Sequence, residues 1–128
     1  MHRSRIGIVL IDHPAASEPA ATSFWTAVVG ASPGQHVVTD DDPYTSVGEL
    51  GAGLRLETQR LASDAAPRVH LDIETDDVAA ETERLVNLGA RVLEERDGYR
   101  IMADPGGLVF CVVPVQTKAF ADHALSWS

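Results

Sequence analysis

The strongest constraint on the fold is a repeated order of predicted elements, because a strand, a helix and three strands occur twice within 128 residues. Apolar, β-branched and alternating runs predict the strands. The eight predicted strands, in chain order, are Ile6–Ile11, His36–Thr39, Tyr44–Glu49, Leu54–Leu61, Val69–Glu74, Arg91–Glu95, Tyr99–Ala103 and Leu108–Val115. The same order in both halves favours an internal duplication with a connector at 62–67. It is typical of an α+β fold.

One predicted helix follows the first strand of each half. Ser17 is the expected N-cap of the first helix, which ends at Gly30. Asp76 or Asp77 caps the second helix, which ends at Gly89. Each helix carries residues at helical spacing that we expect to face the sheet, namely Ala21, Phe24, Trp25 and Val28 in the first and Val78, Thr82, Leu85 and Leu88 in the second.

Aligning the two halves pairs individual residues. The strand sequence IGIVLID matches VHLDIET and places Gly7 opposite His70, and the helix ends VVGA and NLGA also match. Matching GLRLE with GLVFC places Glu57 opposite Cys111. These four positions are therefore expected to be equivalent in pairs across the duplication.

The repeat and several short motifs resemble the vicinal oxygen chelate superfamily, which includes glyoxalases, bleomycin-resistance proteins and extradiol dioxygenases. The resemblance rests on four stretches: Phe24-Trp25 with Gly30, the sequence RVHLDI at 68–73, LGA at 88–90, and MADPGGLVFCVV at 102–113. The last stretch is similar to the ending of the glyoxalase-like domain branch. The match covers roughly residues 5–115.

This resemblance implies a fold of two βαβββ modules that form a cup-shaped mixed β-sheet with helices on its outer face. We expect a glyoxalase-like domain at 1–118, with modules at about 5–61 and 68–115. A C-terminal tail follows at 119–128, and we expect a short helix there.

In metal-dependent members of that superfamily, each module supplies one ligand from its first strand and one from its last. The corresponding positions here are Gly7, Glu57 or its same-face neighbour Gln59, His70 and Cys111. Gly7 has no side chain to donate, and family members commonly carry Glu where Cys111 stands. We therefore expect no full metal site, although a divalent metal on His70, Glu57 and Cys111 stays an alternative.

His70 is the most informative residue for function. Strand alternation places His70, Asp72 and Glu74 on the concave face, away from the helix. His70 either bonds a neighbour such as Asp72 or contacts a ligand or metal. Glu57 is either a general base for proton abstraction beside a carbonyl or a surface charge paired with a nearby arginine.

The other candidate site residues also have two or more interpretations. Cys111 is a buried small hydrophobic residue, a soft metal ligand or a nucleophile. Trp25 and Tyr99 are the aromatic residues expected to bound a small-molecule pocket, although the helical spacing of Trp25 also suits the core. Gly7 would leave open space over the sheet for a ligand, so a larger side chain there would block binding without disturbing the fold.

Charge and cysteine content exclude several classes of function. Ten Lys and Arg against nineteen Asp and Glu give a net charge of −9, so we expect no nucleic-acid or anionic-membrane partner. No apolar run reaches the ~18 residues that span a bilayer. The single Cys111 excludes an internal disulfide and suits a cytoplasmic location. Half-cup modules often pair between chains, so we expect a homodimer.

The expected function is therefore binding of a small organic molecule, such as a carbonyl or aromatic compound, inside the cup. Whether chemistry follows binding is left open by the residues. The alternative is a metal-dependent lyase, isomerase or dioxygenase of the same superfamily. A third class, an interaction domain whose cup is filled by side chains, would be recognised by the lack of a cavity.

Overall fold

A computed structural model describes all 128 residues, and its regular elements are eight strands and three helices. The elements are β1 (His2–Pro14), α1 (Glu18–Val28), β2 (Tyr44–Glu49), β3 (Arg55–Leu61), β4 (Arg68–Thr75), α2 (Val78–Asn87), β5 (Arg91–Arg96), β6 (Tyr99–Ala103), β7 (Val109–Pro114), α3 (Phe120–His123) and β8 (Leu125–Trp127). No helix is both long and apolar enough to cross a bilayer.

The strands form one curled mixed sheet in the order β2-β3-β1-β4-β7-β6-β5, with β8 paired to the start of β1. The first strands of the two halves, β1 and β4, are antiparallel neighbours at the centre. Each of them also has a parallel neighbour, β3 beside β1 and β7 beside β4. Both helices that follow them lie on the outer face, so the predicted α+β cup is confirmed.

A cluster of buried hydrophobic residues lies between α2 and the second half of the sheet. Met102, Phe110 and Val112 are buried there, and the partly buried hydrophobic residues packed against them are Ile73, Val78, Leu85 and Ala90. Asp77 is the N-cap, since its side chain accepts a hydrogen bond of 2.9 Å from the Ala80 N–H. The stripe predicted for this helix thus packs on the sheet through Val78 and Leu85, while Leu88 is exposed.

The orientation predicted for α1 is wrong. Its polar residues Glu18 and Thr26 are buried, whereas Phe24 and Val28 are 59% and 57% exposed. The reason lies in the sheet beneath, where the buried Thr58 hydroxyl needs a hydrogen-bond partner. The Thr22 hydroxyl supplies it at 2.7 Å.

One further prediction is corrected in the irregular segments. The predicted strand His36–Thr39 does not form, because Thr39 and Asp42 exchange backbone hydrogen bonds in a turn and the edge strand β2 pairs only with β3. The tail contains the expected short helix, of four residues, and then the unpredicted strand β8, whose Trp127 indole donates a hydrogen bond to the Ser4 hydroxyl at 2.8 Å.

Candidate functional site

The concave face of the sheet holds a cavity with two adjacent lobes that share Tyr44, His70, Tyr99 and Cys111. We call the larger one, of about 350 Å³, the acidic lobe; its other lining residues are Ile8, Glu57, Asp72, Val113, Pro114 and Gln116. We call the smaller one, of about 240 Å³, the arginine lobe; its other lining residues include Asp12, Gln59, Arg68 and Arg96. The cup is therefore open, and its size suits a small ligand.

His70 is held at the floor of this cup by a partner that the sequence analysis missed. The antiparallel register pairs Leu10 with His70, and alternation along β1 brings Asp12 to the same face. The Nδ1 atom of His70 lies 2.8 Å from Oδ2 of Asp12, and both residues are buried. Arg68 also donates to that oxygen, at 3.3 Å. The signal available in the sequence was the inward alternation Ile8, Leu10, Asp12.

Asp72, the expected partner of His70, lies on the other side of the imidazole ring. Its Oδ1 atom is 3.7 Å from Nε2 of His70, too far for a hydrogen bond. Burial raises the pKa of Asp72 to about 6, with attraction to His70 opposing this and the charges of Glu57 and Asp12 adding to it. Asp72 is therefore a carboxyl group that lacks a strong cationic partner.

Cys111 lies beside Asp72, because the parallel register of β4 and β7 places them opposite each other. Burial, followed by the negative charges of Asp72 and Asp12, raises the pKa of Cys111 to about 12. The thiol is consequently protonated at neutral pH and is a poor nucleophile. Donor atoms of His70, Asp72 and Cys111 all lie within 4.8 Å of one another. The structure thus groups Asp72, rather than the predicted Glu57, with the other two potential metal ligands.

Glu57 and Gln59 both reach the cup from β3, as alternation predicts. The Glu57 carboxylate lies 3.2 Å from Nη2 of Arg55. Burial raises the pKa of Glu57, and the positive charge of Arg55 opposes this rise only in part. The Gln59 amide donates a hydrogen bond to the Tyr44 hydroxyl at 3.5 Å. Partial burial, with the charge of Asp72, raises the pKa of Tyr44 to about 12, so its hydroxyl stays neutral.

Two predicted site residues lie outside the cup. Trp25 is on α1, on the outer face, where its ring makes an edge-to-face contact with Phe24 at 5.2 Å. Gly7 lies at a bulge in β1, and a Cβ there would overlap the Glu74 carboxylate. The open space predicted over Gly7 is wrong because Glu74, instead of lining the cup, fills that space. Tyr44 is the aromatic residue that the sequence analysis missed, and Tyr99 lines both lobes as expected.

Another cavity, of about 370 Å³, lies outside the cup between α1 and the loop before β2. Its twelve lining residues include five with hydroxyl groups, together with Glu18, His36 and Arg60. The arginine is paired with Asp40 at 2.9 Å, and the histidine is 3.5 Å from Asp42. The cup, by contrast, brings together an imidazole, a thiol and several carboxyl groups, so it is the site with potential for chemistry.

Comparisons with known proteins agree with this architecture. A family model described as "Glyoxalase-like domain" matches residues 8–113. No curated protein matches the sequence. Methylmalonyl-CoA epimerase from Mycobacterium tuberculosis superposes with a TM-score of 0.60 at 16% identity, covering 91% of each chain.

Two other solved structures share the fold at similarly low identity. A mutant of 4-hydroxymandelate synthase from Streptomyces coelicolor has a TM-score of 0.59 at 12% identity, covering 94% of this chain and 54% of that one. A protein described as NAD-dependent benzaldehyde dehydrogenase from Legionella pneumophila has a TM-score of 0.57 at 11% identity, covering 84% and 99%. At these identities the likeness concerns the fold alone.

Proposed function

This chain belongs to the glyoxalase-like domain family within the vicinal oxygen chelate superfamily, and we propose that it binds a small organic molecule in the cup with His70 as the main polar contact. We also propose that the site in the cup functions without a full set of metal ligands. The proposal also includes a cytoplasmic location, which the free Cys111 thiol supports.

The observation that carries this proposal is the orientation of the His70 ring. Its Nδ1 atom is 2.8 Å from the Asp12 carboxylate, which has no proton to donate when ionised. In the neutral form of the ring, Nδ1 therefore carries the proton and Nε2 is left as an acceptor on the side of Asp72. A ligand in the acidic lobe would meet this nitrogen together with the neutral Cys111 thiol.

The same arrangement supports proton transfer as the reaction class. A histidine whose tautomer is set by a buried carboxylate is a common general base, because the carboxylate stabilises the imidazolium that forms. Nε2 of His70 would accept a proton from a carbon next to a ligand carbonyl. Glu57 is the second potential base, although its pairing with Arg55 makes it the weaker one.

Binding is tested by a thermal-shift screen of small carbonyl and aromatic compounds, followed by calorimetry on each hit. His70→Ala and Asp12→Asn should both weaken binding, whereas His123→Ala, at an exposed position outside the cup, should not. Hits with an acidic C–H are then incubated in D₂O, where solvent deuterium should enter at that carbon only when His70 is present. Equal binding by all three variants and wild type would contradict the proposal.

A metal-dependent activity is the second candidate, and one observation favours it. His70, Asp72 and Cys111 offer nitrogen, oxygen and sulfur donors within 4.8 Å, a set that suits zinc with one position left open. Asp12 would then orient the histidine ligand. Such an ion would polarise a ligand carbonyl, and Cys111 would first have to lose its proton.

Elemental analysis of protein purified without added metal separates the two candidates. We expect well under one equivalent of divalent metal, because Glu57 is paired with Arg55 and the only residue that β1 contributes to the acidic lobe is the apolar Ile8. Stoichiometric zinc that a chelator removes slowly, and that His70→Ala abolishes, would support the metal-dependent alternative instead.

We also propose that two copies associate through the exposed apolar face of α1. Phe24 and Val28 on this face are more than half exposed, which is costly for a free helix surface. Sedimentation should show a dimer for wild type and a monomer for the double variant Phe24→Ser and Val28→Ser. Leu88→Ser, at another exposed apolar position, is the control. A monomeric wild-type protein at all concentrations would contradict the dimer.

A further inference from the structure

The two lobes of the cup carry charges of opposite sign. The charged side chains in the acidic lobe, apart from His70, are Glu57 and Asp72. The arginine lobe contains Arg68 and Arg96 with a single carboxylate, Asp12. Since the lobes share the two tyrosines, one ligand could reach both of them.

The acidic lobe has an unmatched hydrogen-bond acceptor. Asp72 makes no hydrogen bond, the nearest side chain able to carry a positive charge is His70 at 3.7 Å, and the Asp72 side chain is only 15% exposed. Arg55, which pairs with Glu57, does not line the lobe. A ligand that donates hydrogen bonds or carries a positive charge would satisfy Asp72.

The arginine lobe offers donors that the protein leaves free. Arg68 and Arg96 use their Nε atoms on Asp12 and Glu94, at 3.3 Å and 2.6 Å, and their Nη atoms make no hydrogen bond. Both side chains are about half exposed, at 55% and 50%. A guanidinium with free Nη groups is a good partner for a carboxylate.

A second, independent feature indicates that a ligand completes this site. Asp12 lines the arginine lobe and is fully buried, yet its Oδ1 atom has no hydrogen-bond partner. Buried carboxylate oxygens are normally satisfied, so this atom is expected to receive a hydrogen bond from a water molecule held beside the ligand, since a ligand carboxylate has no hydrogen to donate.

We propose that the ligand is dipolar, with an ammonium group in the acidic lobe facing Asp72 and a carboxylate in the arginine lobe facing Arg68 and Arg96. The part between them is apolar or aromatic, because Tyr44 and Tyr99 border both lobes and the acidic lobe also contains Ile8 and Val113. This inference rests on the proposed function and adds the chemical class of the ligand.

Four probes with one aromatic ring and different charges test the polarity: 4-(aminomethyl)benzoate, benzylamine, benzoate and benzyl alcohol. Binding is followed by amide chemical shifts at millimolar concentrations in the presence of a chelator. We expect the zwitterion to bind about tenfold tighter than either singly charged probe, as one added charge-assisted hydrogen bond would give.

Charge-removing variants then assign the ends of the zwitterion. Asp72→Asn should weaken the zwitterion and benzylamine about tenfold and leave benzoate unchanged. Arg96→Gln, which does not touch Asp12, should weaken the zwitterion and benzoate and leave benzylamine unchanged. The matched controls are Asp64→Asn and Arg91→Gln, at exposed positions that do not line the cup.

The outcomes distinguish failure of the dipolar assignment from failure of the proposed function on which it rests. Equal affinities for all four probes, each reduced in His70→Ala, would overturn the dipolar ligand and leave small-molecule binding in the cup intact. Shifts confined to residues outside the cup would overturn both. If no probe changes any amide chemical shift, the dipolar assignment is wrong. The proposed function is wrong as well only if the wider compound screen also finds no binding that depends on His70.

Discussion

Replacing Gly7 with alanine tests how the sheet is held together beside the cup. A Cβ at this position would overlap the Glu74 carboxylate, which is fully buried. That carboxylate accepts hydrogen bonds from the backbone N–H groups of Gln116 and Thr117, both at 2.8 Å, and from the Thr117 hydroxyl at 2.6 Å. Gly7→Ala must therefore displace a buried charge from three donors.

The cost follows from the environment of that charge. Glu74 also lies 3.2 Å from Nε of Arg5, whose side chain is only 8% exposed. Separating a buried ion from its partners costs ~3–5 kcal/mol, because the desolvated charges are left uncompensated. Since the Glu74 side chain can rotate part of the way and keep some contacts, we expect Gly7→Ala to lower the free energy of unfolding by about 3 kcal/mol.

Urea unfolding followed by circular dichroism measures this loss. Gly34→Ala is the matched control, because a Cβ at Gly34 meets nothing within 4 Å. That change should be neutral or stabilise by ~0.4–1 kcal/mol. In a double-mutant cycle, Glu74→Ala should make Gly7→Ala much less costly, since the overlapping group is gone. A Gly7→Ala protein within about 1 kcal/mol of wild type would refute the reasoning.

Three other predictions concern the cup itself. Cys111 should react slowly with a thiol reagent in native buffer and quickly in denaturant, because its pKa is raised to about 12; equal rates would place it at an open, reactive position. His70→Ala should weaken ligand binding by ~1–3 kcal/mol in calorimetry, with His123→Ala unchanged, as expected when a buried polar partner is lost. Because the pKa of Asp72 rises from 3.8 to about 6 on folding, the folded state binds its proton more tightly, and ionised Asp72 destabilises the fold as pH rises from 4 to 6. Asp72→Asn should accordingly raise the free energy of unfolding at pH 7.5 by up to about 3 kcal/mol and have little effect at pH 4. A variant less stable than wild type at pH 7.5 would contradict this prediction.

Much of the cup was predictable from local pattern. Strand alternation correctly placed His70 and Asp72 on one face, because successive side chains of a strand point to opposite sides whatever the rest of the fold does. The stripe on α2 was predicted for the same kind of reason, and Val78 and Leu85 do pack on the sheet.

Predictions that depended on distant partners failed or were missed. Asp12 is 58 residues from His70 in sequence, and only the register of β1 against β4 brings them together. The pairing of Leu10 with His70, and the bulge between Ile6 and Ile8 in the same ladder, are likewise properties of two strands together that neither strand's own pattern gives. Helical spacing also indicated that Phe24 would face the sheet, but the surface beneath α1 is polar.

The sequence alone therefore determined most of the strands and helices, their repeated order in the two halves and the inward direction of His70 and Asp72. These follow from spacing and backbone preference, which act over a few residues. Only the tertiary structure decided that Asp12 orients His70, that Glu74 occupies the space at Gly7 and that the two lobes differ in charge. Each of these depends on hydrogen bonds and burial between segments far apart in the chain, which local pattern does not encode.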